Sequence, residues 1–219
     1  MLTQIYEVNT PGEAQAIAAI GVNHIGVKVG SGEFAREASV AMAMRIAAAV
    51  PPPSKVVALF LSSDASFIAE WASKLRPAIV HLGAGPDALL PKDVAILKEA
   101  LPDSLIMRTI PVFGQESVAI AHSYAKIADF LLLDSFRPND GKIGALGVVH
   151  DWEISRRIVA EVGIPVVLAG GLGPENVADA IRSARPAGVD SKTKTDRPDS
   201  HRKDLDRVRL FHHAAMAAR

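Results

Sequence analysis

Short apolar runs alternate with amphipathic segments eight times along this chain, and few architectures can use that pattern. The runs are Thr3–Val8, His24–Val29, Lys55–Leu61, Ala78–Leu82, Ser104–Ile110, Ala128–Asp134, Ile164–Ala169 and Ala187–Asp190. Each has strand length and mostly lacks polar alternation, as expected where helices cover a parallel sheet. The intervening segments predict helices at about Pro11–Ile20, Ala38–Val50, Ser66–Leu75, Lys92–Leu101, Glu116–Ile127, Trp152–Val162, Pro174–Ser183 and Leu205–Ala217. Thr10, Ser63 or Asp64, and Asp151 stand where helix N-caps belong, while Gly21, Gly163 and Pro51-Pro52-Pro53 stand where helices should stop. Repeated βα units imply a parallel sheet. Eight of them in 219 residues predict one α/β domain, residues 1–219, folded as a single (β/α)8 TIM barrel. A doubly wound open sheet is the competing architecture, but neither GxGxxG nor a Walker A pattern is present to recommend it.

The segment Ile164–Asp196 concentrates the functional signal. An apolar strand runs into Gly170-Gly171, where the backbone can turn without a Cβ in the way. Pro174-Glu175-Asn176 then opens the next helix, so amides just past Gly171 face a position suited to an anion. The same residues also suit an ordinary βα turn. The polar stretch Ser191–Lys203 reads either as a solvated loop or as an active-site loop, because it follows the last strand at the C-terminal face of the barrel.

Composition narrows the chemistry. Lys+Arg and Asp+Glu balance at 24 each, so no global field recruits nucleic acid or an anionic membrane, and anion recognition must be local. Without cysteine there is no disulfide, no thiolate metal site and no thiol nucleophile or base. No HxH or HExxH pair suggests a metal site, no GxSxG suggests a serine hydrolase, and no cofactor motif is present. The start of the chain lacks signal-peptide character and no apolar run reaches membrane-span length, which predicts a cytoplasmic, soluble protein. The last helix has an apolar side, Val208, Leu210, Phe211, Ala214 and Ala215, expected to cover the barrel; it leaves monomer and homodimer both open.

LAGGLGPENVADAI (168–181), AGVD (187–190) and KDLDRVRLF (203–211), with FLLLDS (130–135) and GALGVVHDW (144–152), together resemble the phosphoribosylanthranilate isomerase family. In the N-terminal half the resemblance extends more weakly, through QIYEVNTPGEA (4–14) and the arginine segment around Arg36. The resemblance implies an Amadori rearrangement, an aldose-to-ketose isomerisation of a phosphorylated sugar amine in tryptophan biosynthesis, with a small phosphorylated substrate and no cofactor. It implies Asp134 as the acid. It also implies substrate and phosphate contacts from Arg36, Gly170, Gly171, Asp190, Lys192 and Lys194.

Three departures bear on mechanism. The family's catalytic cysteine falls on Tyr6 and the glycine after it on Glu7, so the chain resembles a divergent member lacking that cysteine. A tyrosine, with its ordinary pKa near ~10, is a poor base at neutrality, which leaves Glu7 or His81 as the base. Glu7 reaches the barrel mouth only if the strand has already turned there, because adjacent strand residues point to opposite faces. His81 stands two places earlier than the histidine of the family's fourth strand. Lastly, Lys192-Thr193-Lys194-Thr195-Asp196 replaces a small phosphate-cradling turn. The alternatives to the isomerase are a homologue with another phosphorylated substrate, or a non-catalytic barrel that binds a phosphorylated metabolite.

Overall fold

The computed structural model describes residues 1–139, 141–144, 146–198 and 200–218. Its strands are β1 (Leu2–Ile5), β2 (His24–Lys28), β3 (Lys55–Phe60), β4 (Ile79–Leu82), β5 (Leu105–Val112), β6 (Phe130–Arg137), β7 (Lys142–Ile143), β8 (Val166–Leu168) and β9 (Gly188–Ser191). The helices are α1 (Pro11–Ile20), α2 (Val40–Ala48), α3 (Ala65–Leu75), α4 (Pro91–Ala100), α5 (Glu116–Ala125), α6 (Trp152–Glu161), α7 (Val177–Ala184) and α8 (Leu205–Ala217). All strands except β7 pair in parallel, in the order β5-β4-β3-β2-β1-β9-β8-β6, and β5 pairs with β6 to close the ring. The predicted (β/α)8 barrel is therefore the fold, and the open sheet is excluded. β7 pairs antiparallel with the end of β6 and was not foreseen. Among the described residues no helix is long and apolar enough to cross a membrane.

Strand parity explains the core. Ile5, Ile25, Val27, Val80, Leu82, Leu131 and Leu133 face the helices and join the large outer core with residues such as Ile17, Ile46, Ile68, Val94 and Phe211. Tyr6, Val57, Ile79, Met107, Leu132, Val167 and Ala169 fill the barrel instead. Continuously apolar strands were thus the correct signature: both faces are buried.

Local chemistry sets the element ends. Thr10, Asp64 and Asp151 cap α1, α3 and α6 by accepting backbone N–H bonds, and Gly21 ends α1 at φ 103°. Several details differ from expectation, among them the start of α7 and the apolar stripe of α8. Helix α7 begins at Val177, not Pro174, because the Asn176 side chain folds back, accepting from Gly173 N at 2.8 Å and donating to Gly171 O at 3.2 Å. On α8 the covering stripe is Val208, Phe211 and Ala215, whereas Leu210 is 58% exposed.

The described part of Ser191–Lys203 is mostly exposed, as expected of a solvated loop, but it is anchored by the buried Ser191, Thr195 and Lys203. Thr193–Thr195 forms one 3-10 turn, and the buried Lys203 ammonium donates to Asp196 Oδ1 at 2.6 Å and to Lys192 O at 3.1 Å. Lys203 N also donates to Glu13 Oε1 at 2.7 Å, tying this loop to α1 across the junction between β9 and β1.

Candidate active site

The C-terminal ends of the strands surround a cavity of about 380 Å³, walled on its apolar side by Phe34, Leu59, Leu61, Leu132 and Ile143. Tyr6, Glu7, Lys28, Arg36, His81, Thr109, Asp134, Asp190 and Lys192 supply its polar lining. It opens beside a smaller hollow of about 30 Å³ bordered by Gly147, Gly170, Gly171, Leu172, Ser191, Lys192, Thr193 and Lys194, and Asp134 and Asp190 line both. The sequence-derived site residues therefore converge: the large cavity takes Glu7, Arg36 and His81, the small hollow takes Gly170, Gly171 and Lys194, and Asp134, Asp190 and Lys192 belong to each.

Asp134 follows the leucines of β6, so its carboxyl enters a desolvated recess. Burial raises its pKa from the usual carboxylate range to about 7, against which the N–H of Ser135, donating at 2.8 Å, acts in the opposite sense. Gly144, at φ 70°, closes over it: a Cβ there would lie 2.3 Å from Asp134 Oδ2. The glycine turn after β6 thus packs directly on the Asp134 carboxyl.

Glu7 reaches the mouth because the chain has turned. Its φ is 56°, in the left-handed region that favours glycine. Its carboxylate meets Arg36 Nε at 2.8 Å, Lys28 Nζ at 3.3 Å and Lys192 Nζ at 3.7 Å. Burial alone would raise its pKa, but the Arg36 hydrogen bond and the charges of Lys192, Lys28 and Arg36 overcome this and hold it at about 2. Lys192 also reaches Asp196 Oδ2 at 3.3 Å, so four cations, Lys28, Arg36, Lys192 and Lys203, share two carboxylates. The rim is net positive.

Tyr6 does not block the cavity. Its ring lies flat over Gly26 on the neighbouring strand, where a Cβ would approach ring carbons to 2.1 Å. Its hydroxyl lies 2.5 Å from His81 Nδ1, and His81 Nε2 lies 2.6 Å from Thr109 Oγ1. Burial, reinforced by the charge of Arg108, pushes the His81 pKa down to about 3, so the ring is neutral at pH 7. Burial raises the Tyr6 phenol well above its ordinary value, with further contributions from Asp190 and Asp134. Whichever tautomer the neutral ring adopts, both of its nitrogens already have hydroxyl partners, Tyr6 and Thr109.

Arg108 of β5 points away from the barrel: it donates to Leu82 O and Ala84 O at 2.8 and 2.7 Å and stacks over Tyr124 at 4.7 Å. Lys28 was overlooked, though it shares inward parity with His24 and Gly26 on β2 and could have been found from that alternation.

The hollow beside the cavity owes its shape to glycine. Gly170 and Gly171 have φ of 80° and 63°, and a Cβ on Gly171 would lie 2.6 Å from the carbonyl carbon of Val148. Lys192 and Lys194 border this backbone turn from the β9 side, bringing positive charge to a site whose size suits a compact anion.

The sequence profile of N-(5'-phosphoribosyl)anthranilate (PRA) isomerase matches residues 7–213. Among named relatives, the N-(5'-phosphoribosyl)anthranilate isomerase of Methanocella arvoryzae is 34% identical over 209 residues, 95% of this chain and 94% of that protein. That of Afipia carboxidovorans is 30% identical over 219 residues, covering 100% of this chain and 90% of the relative. The fold superposes on phosphoribosyl anthranilate isomerase from Thermotoga maritima with a TM-score of 0.81 at 24% identity, covering 99% of each chain. With the enzyme from Pyrococcus furiosus the TM-score is 0.80 at 22% identity, again over 99% of each. Extending over nearly the whole barrel and including every strand end that builds the pocket, this similarity shows that the chain belongs to the N-(5'-phosphoribosyl)anthranilate isomerase family.

Proposed function

We propose that this protein is an isomerase that converts a phosphorylated N-linked aminoaldose into the aminoketose by an Amadori rearrangement, with N-(5'-phosphoribosyl)anthranilate as its substrate. One observation carries the reading: a carboxyl with a pKa of about 7, Asp134, sits where the main cavity meets the glycine-walled hollow. A phosphate in that hollow, held by the Gly170-Gly171 backbone, Lys192 and Lys194, sets the sugar ring over Asp134. The acid then gives its proton to the ring oxygen as the C1–O bond breaks, leaving an iminium. The aromatic aglycone extends along Phe34, Leu59, Leu61 and Ile143, and its carboxylate meets Lys28 and Arg36 at the positive rim. Glu7 holds those cations in place until the ligand arrives, and His81 fixes Tyr6. The reading carries a cytoplasmic location, a monomer or homodimer, and no cofactor.

A homologue with another phosphorylated substrate is the second reading, and Glu7 favours it, because it already neutralises the Arg36 guanidinium. The test is conversion of phosphoribosylanthranilate by the purified chain, with complementation of a tryptophan auxotroph lacking this isomerase. Activity lost in Asp134→Asn supports the first reading. Well-expressed protein inactive in both assays removes it.

A further inference from the structure

Taking the C2 proton from the iminium needs a lone pair that nothing else occupies. Glu7 is committed to three cations, and His81 Nδ1 to the Tyr6 hydroxyl. A phenol that must first lose its own proton is no base at neutral pH. Asp190 is different. It lies on β9, in register with Gln4 of β1 and one inward-facing layer below Lys192, so it sits beside the place where the family's thiol would be. It is 6% exposed, and its Oδ1 has no hydrogen-bond partner among the described residues. Its carboxyl borders both chambers together with Asp134, on a strand separated from β6 by β8 alone.

We infer that Asp190 is the general base of the rearrangement, doing from β9 what a thiol on β1 would otherwise do. The inference rests on the isomerase reading above. Burial raises both carboxyls, and the charge of Asp134 raises Asp190 further, so one negative charge opposes a second across the pocket. The reactive arrangement is Asp134 protonated and Asp190 ionised. The Asp134 proton goes to the ring oxygen as C1–O breaks and the nitrogen lone pair forms C1=N. Asp190 then takes the C2 proton, and the C2–H electrons form C1=C2 while the C1=N pair returns to nitrogen. The enolamine becomes the ketone by losing the proton of its C2 hydroxyl and gaining one at C1. The Asp190 proton returns to Asp134 by exchange with solvent, so the cycle balances.

The test compares Asp190→Asn with wild type, using phosphoribosylanthranilate carrying hydrogen or deuterium at C2. Expected is a loss of about 10²–10⁴-fold in kcat with KM within a few fold, as removal of a general base gives. Asp190→Glu should keep partial activity with a shifted acidic limb in its pH profile and an enlarged C2 isotope effect. Binding of a non-reactive reduced product analogue, undiminished in Asp190→Asn, shows that the site is still assembled. Asp190→Asn with near wild-type kcat, or with KM alone changed, overturns the assignment. So does loss of the isotope-sensitive step in Tyr6→Phe while Asp190→Asn retains it. Wild type inactive on this substrate instead refutes the isomerase reading itself, a separate result.

Discussion

The Tyr6 hydroxyl sits 2.5 Å from Nδ1 of His81, and through this bond the two residues satisfy one another at the floor of the pocket. Both are buried, and a buried polar atom left without a partner costs about 1–3 kcal/mol. Thr109 completes the chain on the far side of the imidazole. The tyrosine at position 6 is accommodated because Gly26 makes room for its ring and its hydroxyl pairs with His81.

Tyr6→Cys breaks this pairing but brings a thiol with an ordinary pKa near ~8.5 to the same strand end. In the Asp190→Asn background it should restore turnover at least ~10-fold when assayed near pH 8.5, where about half of an unperturbed thiol is ionised. Turnover no better than that of the single variant counts against a free path from position 6 to C2.

Asp134 makes activity and stability respond to pH in linked ways. As an acid with a pKa of about 7 it works protonated, so kcat should fall as pH rises through 7. Its folded value is raised, so the stability it permits is full below the unfolded pKa of about 4 and is lost as pH rises through 7. Asp134→Asn should therefore abolish activity yet stabilise the fold at pH 8 by up to about 4 kcal/mol, with little gain at pH 4. Denaturant melts at the two pH values, beside a kcat–pH profile of wild type, check both halves.

Glu7→Gln removes the carboxylate that holds Lys28, Arg36 and Lys192 together. The folded pKa is depressed to about 2, so its contribution is present above the ordinary value near 4.5 and lost as pH falls through 2. A loss of about 3 kcal/mol is expected at pH 7, shrinking toward zero near pH 2, by calorimetry across that range. Glu7→Gly also relieves the left-handed backbone and frees Arg36. Free anthranilate should bind this variant more tightly than wild type by titration calorimetry.

Gly171→Ala tests the anion hollow. The added methyl meets the Val148 carbonyl in a backbone conformation that alanine resists. Phosphate should bind the variant at least ~10-fold more weakly, while Lys194→Ala should weaken it less and flatten its salt dependence. Equal phosphate affinity in Gly171→Ala and wild type would move the anion site elsewhere.

The architecture was legible because its signal is repeated: eight buried strands state the same parity, and Thr10, Asp64 and Asp151 mark helix starts by hydrogen bonds local in sequence. Asp134 and Gly171 were legible because each sits at a strand end inside a recognisable motif. The misjudged features depend on partners remote in the chain. Lys203 looked like part of a solvated loop because its partner Asp196 and the β9–β1 junction come together only in the closed barrel. Arg108 is a charge in an apolar strand whose partners, the Leu82 carbonyl and the Tyr124 ring, lie in other units of the barrel. The working state of Glu7 depends on a positive φ and three cations from separate units, which no local pattern expresses.

The closure of β9 against β1 has a consequence for how the protein is made. Glu7 is translated 185 residues before Lys192, yet they are 3.7 Å apart in the folded molecule. Throughout most of synthesis β1 has only β2 beside it, and its other edge stays unpaired until β9 has been translated. A nascent chain stalled before Gly188 therefore exposes that edge and owns half an active site. Translation of β9 and the residues after it completes the sheet and the pocket in a single event.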